Sequence, residues 1–182
     1  HQSMANAFYF LVTLVFDLML FVVILRWWLQ WNRADFYNPM SQFVVKVTNP
    51  LVIALRRLVP SIGKIDSATV LAALLISLLK VVVVAFLFTG YSSIVMLVMK
   101  AGLNIVLQGL YLLFYILLAR AIMSWFSQGR TPLEYLFSQL TEPLLAPIRR
   151  FVPPIGMLDL STMVLVVALI FVRIIVETYY NQ

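Results

Sequence analysis

Four stretches of this chain are apolar on every side, and two stretches between them are apolar on one side only. The first runs over about Ala7–Trp31, broken only by Thr13 and Asp17 before it closes as RWWLQW. The second covers about Ser67–Thr89 with Lys80 inside it. The third covers about Leu103–Phe126 and holds Asn104, Gln108 and Arg120. The fourth covers about Ser161–Thr178, with Arg173. Each has the roughly 20 residues that an α-helix needs to cross hydrocarbon. Ile94–Met99 is also apolar but too short to cross. Joined to the third stretch as residues 91–126 it would make a helix of about 54 Å, well beyond a bilayer core. An interfacial turn is therefore expected over 91–102.

The two one-sided stretches have helical spacing. Phe43, Val44, Val47, Leu51, Leu55 and Leu58 fall on one stripe, and Leu136, Phe137, Leu140, Leu144, Ile148 and Phe151 form its counterpart. Proline suits the first turn of a helix, so Pro50 and Pro143 are expected to start short amphipathic helices capped by Thr48/Asn49 or Thr141. Pro60 and Pro153 should end them, and Gly63 and Gly156 should turn the chain. Asp66 and Asp159 should cap the following spans, where a negative charge meets a helix N-terminus. Such helices belong in the membrane interface.

These segments are copies. Residues 47–69 and 140–162 align at a constant offset, with eleven identities in 23 positions, among them Thr48/Thr141, Pro50/Pro143, Arg56/Arg149, Arg57/Arg150, Pro60/Pro153, Gly63/Gly156 and Asp66/Asp159. The same register reaches Lys80/Arg173; with one residue inserted, Arg26 and Trp31 match Arg120 and Trp125. The chain is a tandem duplication of one unit: span, basic Pro-rich loop, span. An even number of spans per unit makes the copies parallel, related by a pseudo-twofold along the membrane normal. The fold class is all-α integral membrane. Residues 1–3 read as a tag remnant, 4–90 as the first unit, 91–102 as a connector and 103–182 as the second unit.

Composition agrees: 63% of residues are hydrophobic, 11% are charged and the mean hydropathy is +1.01. The first apolar run exceeds a signal peptide and lacks a small-residue cleavage site, so it is expected to be retained. The net charge of +6 could suggest nucleic acid, but its distribution argues for topology. The two long loops hold eight basic residues, Arg33, Lys46, Arg56, Arg57, Lys64, Arg130, Arg149 and Arg150, whereas the short connection holds Lys100. The positive-inside rule then places the long loops in the cytoplasm and both termini outside. Trp27, Trp28, Trp31 and Trp125 form an aromatic belt on that side.

Arginine and tryptophan closing a span, then Thr141-Glu142-Pro143-Leu144-Leu145-Ala146-Pro147-Ile148-Arg149-Arg150 with Pro153, Gly156 and Asp159, resembles the YggT family of small integral membrane proteins, also called YlmG. The first unit departs from this pattern with Asn49 for the glutamate and Ala54 for the second proline. The resemblance covers essentially the whole chain as a two-unit bacterial inner-membrane protein. It implies links to osmotic or salt-stress tolerance, to cell-division gene neighbourhoods and to envelope or nucleoid organisation. Chloroplast relatives are implicated in maturing a cytochrome b6 haem site. No enzymatic mechanism comes with it.

The charges admit two readings each. Arg56, Arg57, Arg149 and Arg150 either set topology or form a surface for anionic lipid or a partner, worth about 1 kcal/mol per basic residue near the membrane. Either reading is compatible with pairing to Asp66 and Asp159. Lys80 and Arg173 either snorkel to the outer interface or line a polar path. Asp17 has no acidic twin, since Tyr111 stands at its equivalent, and is expected to pair with Lys80 or Arg173. Arg26 and Arg120 are expected to snorkel to cytoplasmic phosphates. The chain has no cysteine, and its one histidine is His1, so usual haem or zinc ligation is not expected and no cofactor is assigned. No Gly-rich phosphate loop or Ser/His/Asp set occurs, and no catalytic residue is assigned. The expected role is a non-enzymatic scaffold or assembly factor; the alternative is a small ion channel or transporter using Asp17, Lys80 and Arg173. Expected partners are anionic lipid headgroups, a membrane protein or a second copy of the chain, and not nucleic acid.

Overall fold

The computed structural model describes residues 2–60, 66–126, 131–153 and 160–182. Among the described residues six α-helices follow in order: α1 (Gln2–Trp31), α2 (Pro39–Arg56), α3 (Ser67–Val84), α4 (Ile94–Phe126), α5 (Pro132–Arg149) and α6 (Leu160–Tyr180). Helices α1, α3, α4 and α6 are long and apolar enough to cross a membrane. Helices α2 and α5 are the amphipathic pair. The duplication is visible in the boundaries: α2 and α5 have 18 residues each, and both start with the proline and end with the arginine that the sequence register equates.

Those first prolines correct one expectation. Pro39 and Pro132, not Pro50 and Pro143, open the amphipathic helices, capped by the side chains of Asn38 and Thr131. Asn38 Oδ1 accepts from Met40 N at 2.9 Å and Thr131 Oγ1 from Glu134 N at 3.2 Å. Pro50, Pro143 and Pro147 lie inside their helices. An internal proline removes one backbone donor, and here the helices continue on the packing of their buried faces. The buried positions correspond between units: Ser41/Glu134, Val44/Phe137, Thr48/Thr141 and Val52/Leu145. The predicted stripe is thus divided. Val44 and Leu55 face the protein, while Phe43, Val47 and Leu58 are exposed, so each helix has an inner apolar row and a second, outward one.

Both amphipathic helices stop at an arginine, four residues before Pro60 and Pro153. The same turn follows in each: Leu58 N and Val59 N donate to Leu55 O, and Phe151 N and Val152 N donate to Ile148 O. Gly63, Gly156 and Asp159 lie outside the described residues. Asp66 does occupy the N-cap position of α3, but its side chain makes no capping bond and turns elsewhere.

The connection between the units corrects a second expectation. After α3 the chain widens into a π-helical turn at Ala85–Thr89, swings through Gly90 at φ 85°, and enters α4 at Ile94. Ser93 caps that start. Residues 94–102 are therefore helix, not an interfacial turn. In an apolar setting a helix satisfies every backbone group internally, which favours continuing it. The result is 33 residues, about 50 Å long. Leu97 and Ala101 of this extension pack on Val81 and Ala85, which holds it against α3.

The core is built around α1, α3 and α4. Leu20, Val23, Ala72 and Ile76 form one cluster with Val52 and Leu55 of α2. Leu25, Leu29, Leu112 and Ile116 form another with Val44, Leu136 and Leu140 from the amphipathic helices. The small residues Ala68, Ala72 and Ala73 let α3 approach its neighbours closely, as expected between helices in lipid. Helix α6 is peripheral, with Ser161 and Leu169 as its buried residues.

Candidate functional site: polar hubs between the spans and the amphipathic helices

Polar chemistry collects in two layers. The first is inside the spans. Lys80 Nζ lies 2.6 Å from Asp17 Oδ1 and donates to Asn104 Oδ1 at 2.9 Å. Asn104 Nδ2 donates to Ser77 Oγ at 2.9 Å, and Ser77 Oγ donates to Ala101 O at 2.7 Å. Lys80, Ser77 and Asn104 are buried. This network joins α1, α3 and α4, and therefore both units. Lys80 does not snorkel, because a carboxylate and an amide lie nearer than the interface. Of the two partners expected for Asp17, it takes Lys80.

At the equivalent place in the second unit, the Arg173 guanidinium sits 5.9 Å from the centre of the Tyr111 ring. Its carboxylate is Glu177, one turn along the same helix, at 3.9 Å from Nε. Tyr111 also donates its hydroxyl to Glu177. The duplication kept a cation opposite the partner helix and exchanged the ion pair between helices for a ring contact.

The second layer lies where α2 and α5 cross the spans. Arg26 is buried and donates from Nη1 to Thr48 Oγ1 and Asn49 Oδ1, both at 2.8 Å. Arg120 donates to Thr141 Oγ1 and to Glu142 Oε1, both at 2.7 Å. Neither follows the snorkelling expectation; each reaches back to its own amphipathic helix, where polar side chains in the next turn supply acceptors. The sequence carried a signal for this, because Thr48 and Thr141 repeat opposite the repeated arginines.

The arginine pairs divide their labour. Arg56 lies 2.6 Å from Asp66 Oδ2, which also accepts from Gln30 and Thr69. Arg149 lies 2.6 Å from Glu142 Oε2, so that one carboxylate serves both Arg149 and Arg120. Arg57 and Arg150 are exposed and form no ion pair among the described residues. Burial pushes the Asp66 and Glu142 carboxyls up, but their hydrogen bonds outweigh it. Thr69, Gln30 and Arg56 hold Asp66 below its ordinary range, and Arg149 and Arg120 do the same for Glu142.

Among the described residues three hydrogen bonds cross between the units at this level. Asn38 Nδ2 donates to Pro132 O at 2.7 Å, Asn32 Nδ2 donates to Leu140 O at 3.1 Å, and Asp35 N donates to Gln139 Oε1 at 3.1 Å. An apolar groove of about 830 Å³ also opens between α1, α3 and α4, beside the stacked Trp27 and Trp31 and bordered by Gly102 and Gly109.

The profile of the family described as CCB3/YggT matches residues 5–87 and again residues 99–180. The chain belongs to the YggT family. One match falls on α1 to α3 and the other on α4 to α6. A Vibrio alginolyticus protein described as an uncharacterized protein in the proC 3' region is 51% identical over 179 residues, with 91% of each chain covered. The Escherichia coli K12 protein YggT, also described as uncharacterized, is 48% identical over 165 residues, 90% of this chain and 86% of its own. A Pseudomonas aeruginosa protein is 39% identical over 174 residues. No solved structure matches. As a YggT-family chain with four apolar spans, this is a multi-pass membrane protein.

Proposed function

We propose that this YggT-family chain is a non-enzymatic scaffold or assembly factor of the bacterial inner membrane. It docks anionic lipid or a partner protein through the cytoplasmic ends of its amphipathic helices. The observation that carries this reading is the division within each arginine pair. Arg56 and Arg149 are engaged in ion pairs with Asp66 and Glu142, whereas Arg57 and Arg150, exposed at equivalent positions, form no ion pair among the described residues. Leu58 and Phe151, the next residues, are 76% and 84% exposed. A cation beside an exposed apolar side chain suits the headgroup layer, where each contributes to binding.

The test is Arg57→Ala combined with Arg150→Ala. Membrane insertion should persist, while complementation of a deletion strain and sedimentation with phosphatidylglycerol-rich vesicles should both be lost. Full complementation by the double variant would sink the reading. A small ion channel or transporter for osmotic or salt tolerance is the second reading, because Asp17 and Lys80 sit in the spans and the Asp17 side chain is 24% exposed. Against it, Lys80 is committed to Asp17 and Asn104, and Asn104 to Ser77, which describes a closed brace. Ion flux through proteoliposomes should match empty liposomes; a current altered by Lys80→Met would replace the scaffold reading.

A further inference from the structure

Inside the spans the two units meet through α3 and α4. Ser77 Oγ donates to Ala101 O at 2.7 Å, Lys80 Nζ donates to Asn104 Oδ1 at 2.9 Å, and Val81 and Ala85 cluster with Leu97 and Ala101. This contact is one-way, since it takes the second span of unit one and the first span of unit two. The duplication supplies the same two surfaces once more, on α6 and α1. At the offset of 93, Ser77, Lys80 and Val81 correspond to Ile170, Arg173 and Ile174. With the inserted residue the offset is 94, and Leu97, Ala101 and Asn104 correspond to Ser3, Ala7 and Phe10. Both registers hold in three dimensions: the meeting of Lys80 with Asp17 recurs as Arg173 over Tyr111, the equivalent of Asp17.

The second pair of surfaces is left open. Among the described residues α1 and α6 form no extended packing contact. Ile174 is 53% exposed where Val81 is 5%, and Phe10 is 64% exposed where Asn104 is fully buried. Ile170, Thr178, Ser3 and Ala7 are exposed too, although their equivalents Ser77, Ala85, Leu97 and Ala101 are buried. The open positions make one row along each helix, because residues three and four apart share a face. Hydrocarbon covers such apolar rows readily, but Arg173 lies beside Ile170 and Ile174 with its side chain 38% exposed, against 7% for Lys80. Lipid is a poor surrounding for a charge, and charged groups within spans face protein or a polar cavity. Ala7 stands at the centre of the α1 row, as Ala101 does in α4, and small residues let membrane helices approach closely.

We propose that these faces join copies of the chain: α6 of one copy packs against α1 of another, in the register that α3 and α4 use. Ile170 then lies opposite Ala7, and Arg173 lies opposite Phe10, whose ring face suits a guanidinium. A membrane permits this geometry. With four spans, α6 and α1 run antiparallel when both copies share one orientation, as α3 and α4 do. The contact is head-to-tail, and contacts of this kind build rings when the rotation between copies closes. It is independent of Arg57 and Arg150.

The chain has no cysteine, so introduced cysteines report contacts without background. Two differently tagged full chains, one carrying Ala7→Cys and the other Ile170→Cys, are produced together and oxidised in native membranes. A disulfide-linked dimer is expected from this pair, at least fivefold above the yield from either variant alone. Phe8→Cys, turned away by about 100° on α1, should give no dimer with Ile170→Cys. As a second measurement, tagged chains without cysteines should co-purify in mild uncharged detergent. Ala7→Trp should lower that yield at least fivefold while each chain still folds and inserts, since Ala7 is exposed in the single chain. The proposal is overturned if the mixed pair gives no dimer, if either variant alone gives as much, or if Ala7→Trp leaves co-purification unchanged. A link within one chain carrying both cysteines, with none between chains, would also overturn it, because α6 would then close on its own α1.

Discussion

Lys80 Nζ lies 2.6 Å from Asp17 Oδ1 in the middle of an apolar bundle, and the two side chains are unequal in their need for each other. Lys80 has a side chain 7% exposed, against 24% for Asp17. Removing Asp17 leaves a buried ammonium whose remaining acceptor is an amide. Breaking a buried pair in this way is costly, whereas removing both charges can be nearly neutral. Asp17→Leu is therefore expected to destabilise the protein by about 3 kcal/mol, and Asp17→Leu with Lys80→Met by clearly less. Denaturant unfolding of the single and double variants measures this. Equal losses in both would show that packing, not charge, dominates.

The acids of the second polar layer make a pH prediction at the same scale. Asp66 and Glu142 have native pKa values below their ordinary 3.8 and 4.5. A lowered native pKa contributes stability above the unfolded value and loses it as pH falls through the native one. The melting temperature should thus be level from neutral pH down to about 5 and fall in the acid range below it. Glu142→Gln should lower the plateau and flatten the acid fall, as followed by thermal unfolding across a pH series.

Among elements, α2 and α5 show how one signal can serve two positions. Pro39 and Pro50 both suit a helix start, and so do Pro132 and Pro143. The outer prolines are used because each follows a residue able to cap, Asn38 or Thr131, and because the buried row runs unbroken past the inner ones. Asn38 has a second task, since its amide also donates to Pro132 O. Asn38→Ala should cost more than an ordinary cap, which is worth about 1 kcal/mol. Asn38→Asp, which keeps the acceptor and removes the donor, should recover the cap but not the link between units. Thermal unfolding of the two variants separates these contributions.

For the molecule as a whole, the two units are copies that have specialised. Unit one sends Lys80 and Ser77 onto Asn104 and Ala101 of unit two, and the amphipathic helices are joined through Asn32 and Asn38. Breaking the chain at the Gly90–Ser93 connection should leave two fragments that co-purify from membranes when expressed together. Asn104→Leu strands both Lys80 and Ser77 and should weaken that co-purification. Fragments that separate readily with Asn104 intact would show that the units are held mainly by their covalent link.

Much of this architecture was legible in the sequence. Spans are read from composition because hydrocarbon admits helices whose backbone is satisfied internally, and the duplication is read from identities at a fixed offset. The amphipathic helices are legible from their spacing, although their start and the continuation of α4 back to Ile94 were not. Those depend on which of two local signals gains tertiary packing, as Leu97 does against Val81. The charges were the least legible part. Sequence shows that Arg26, Arg120 and Lys80 sit within apolar runs, and hydrophobic cost alone would send them outward to water. Only the tertiary structure brings Thr48, Thr141 and Asp17 within reach, and a nearby acceptor inside the fold is worth more to a buried cation than a distant interface. The difference between Glu142 and Asn49 was present in the sequence as a departure from the repeat. Its meaning, an arginine held by neutral Thr48 and Asn49 where its twin pairs with a carboxylate, exists only once the helices are packed.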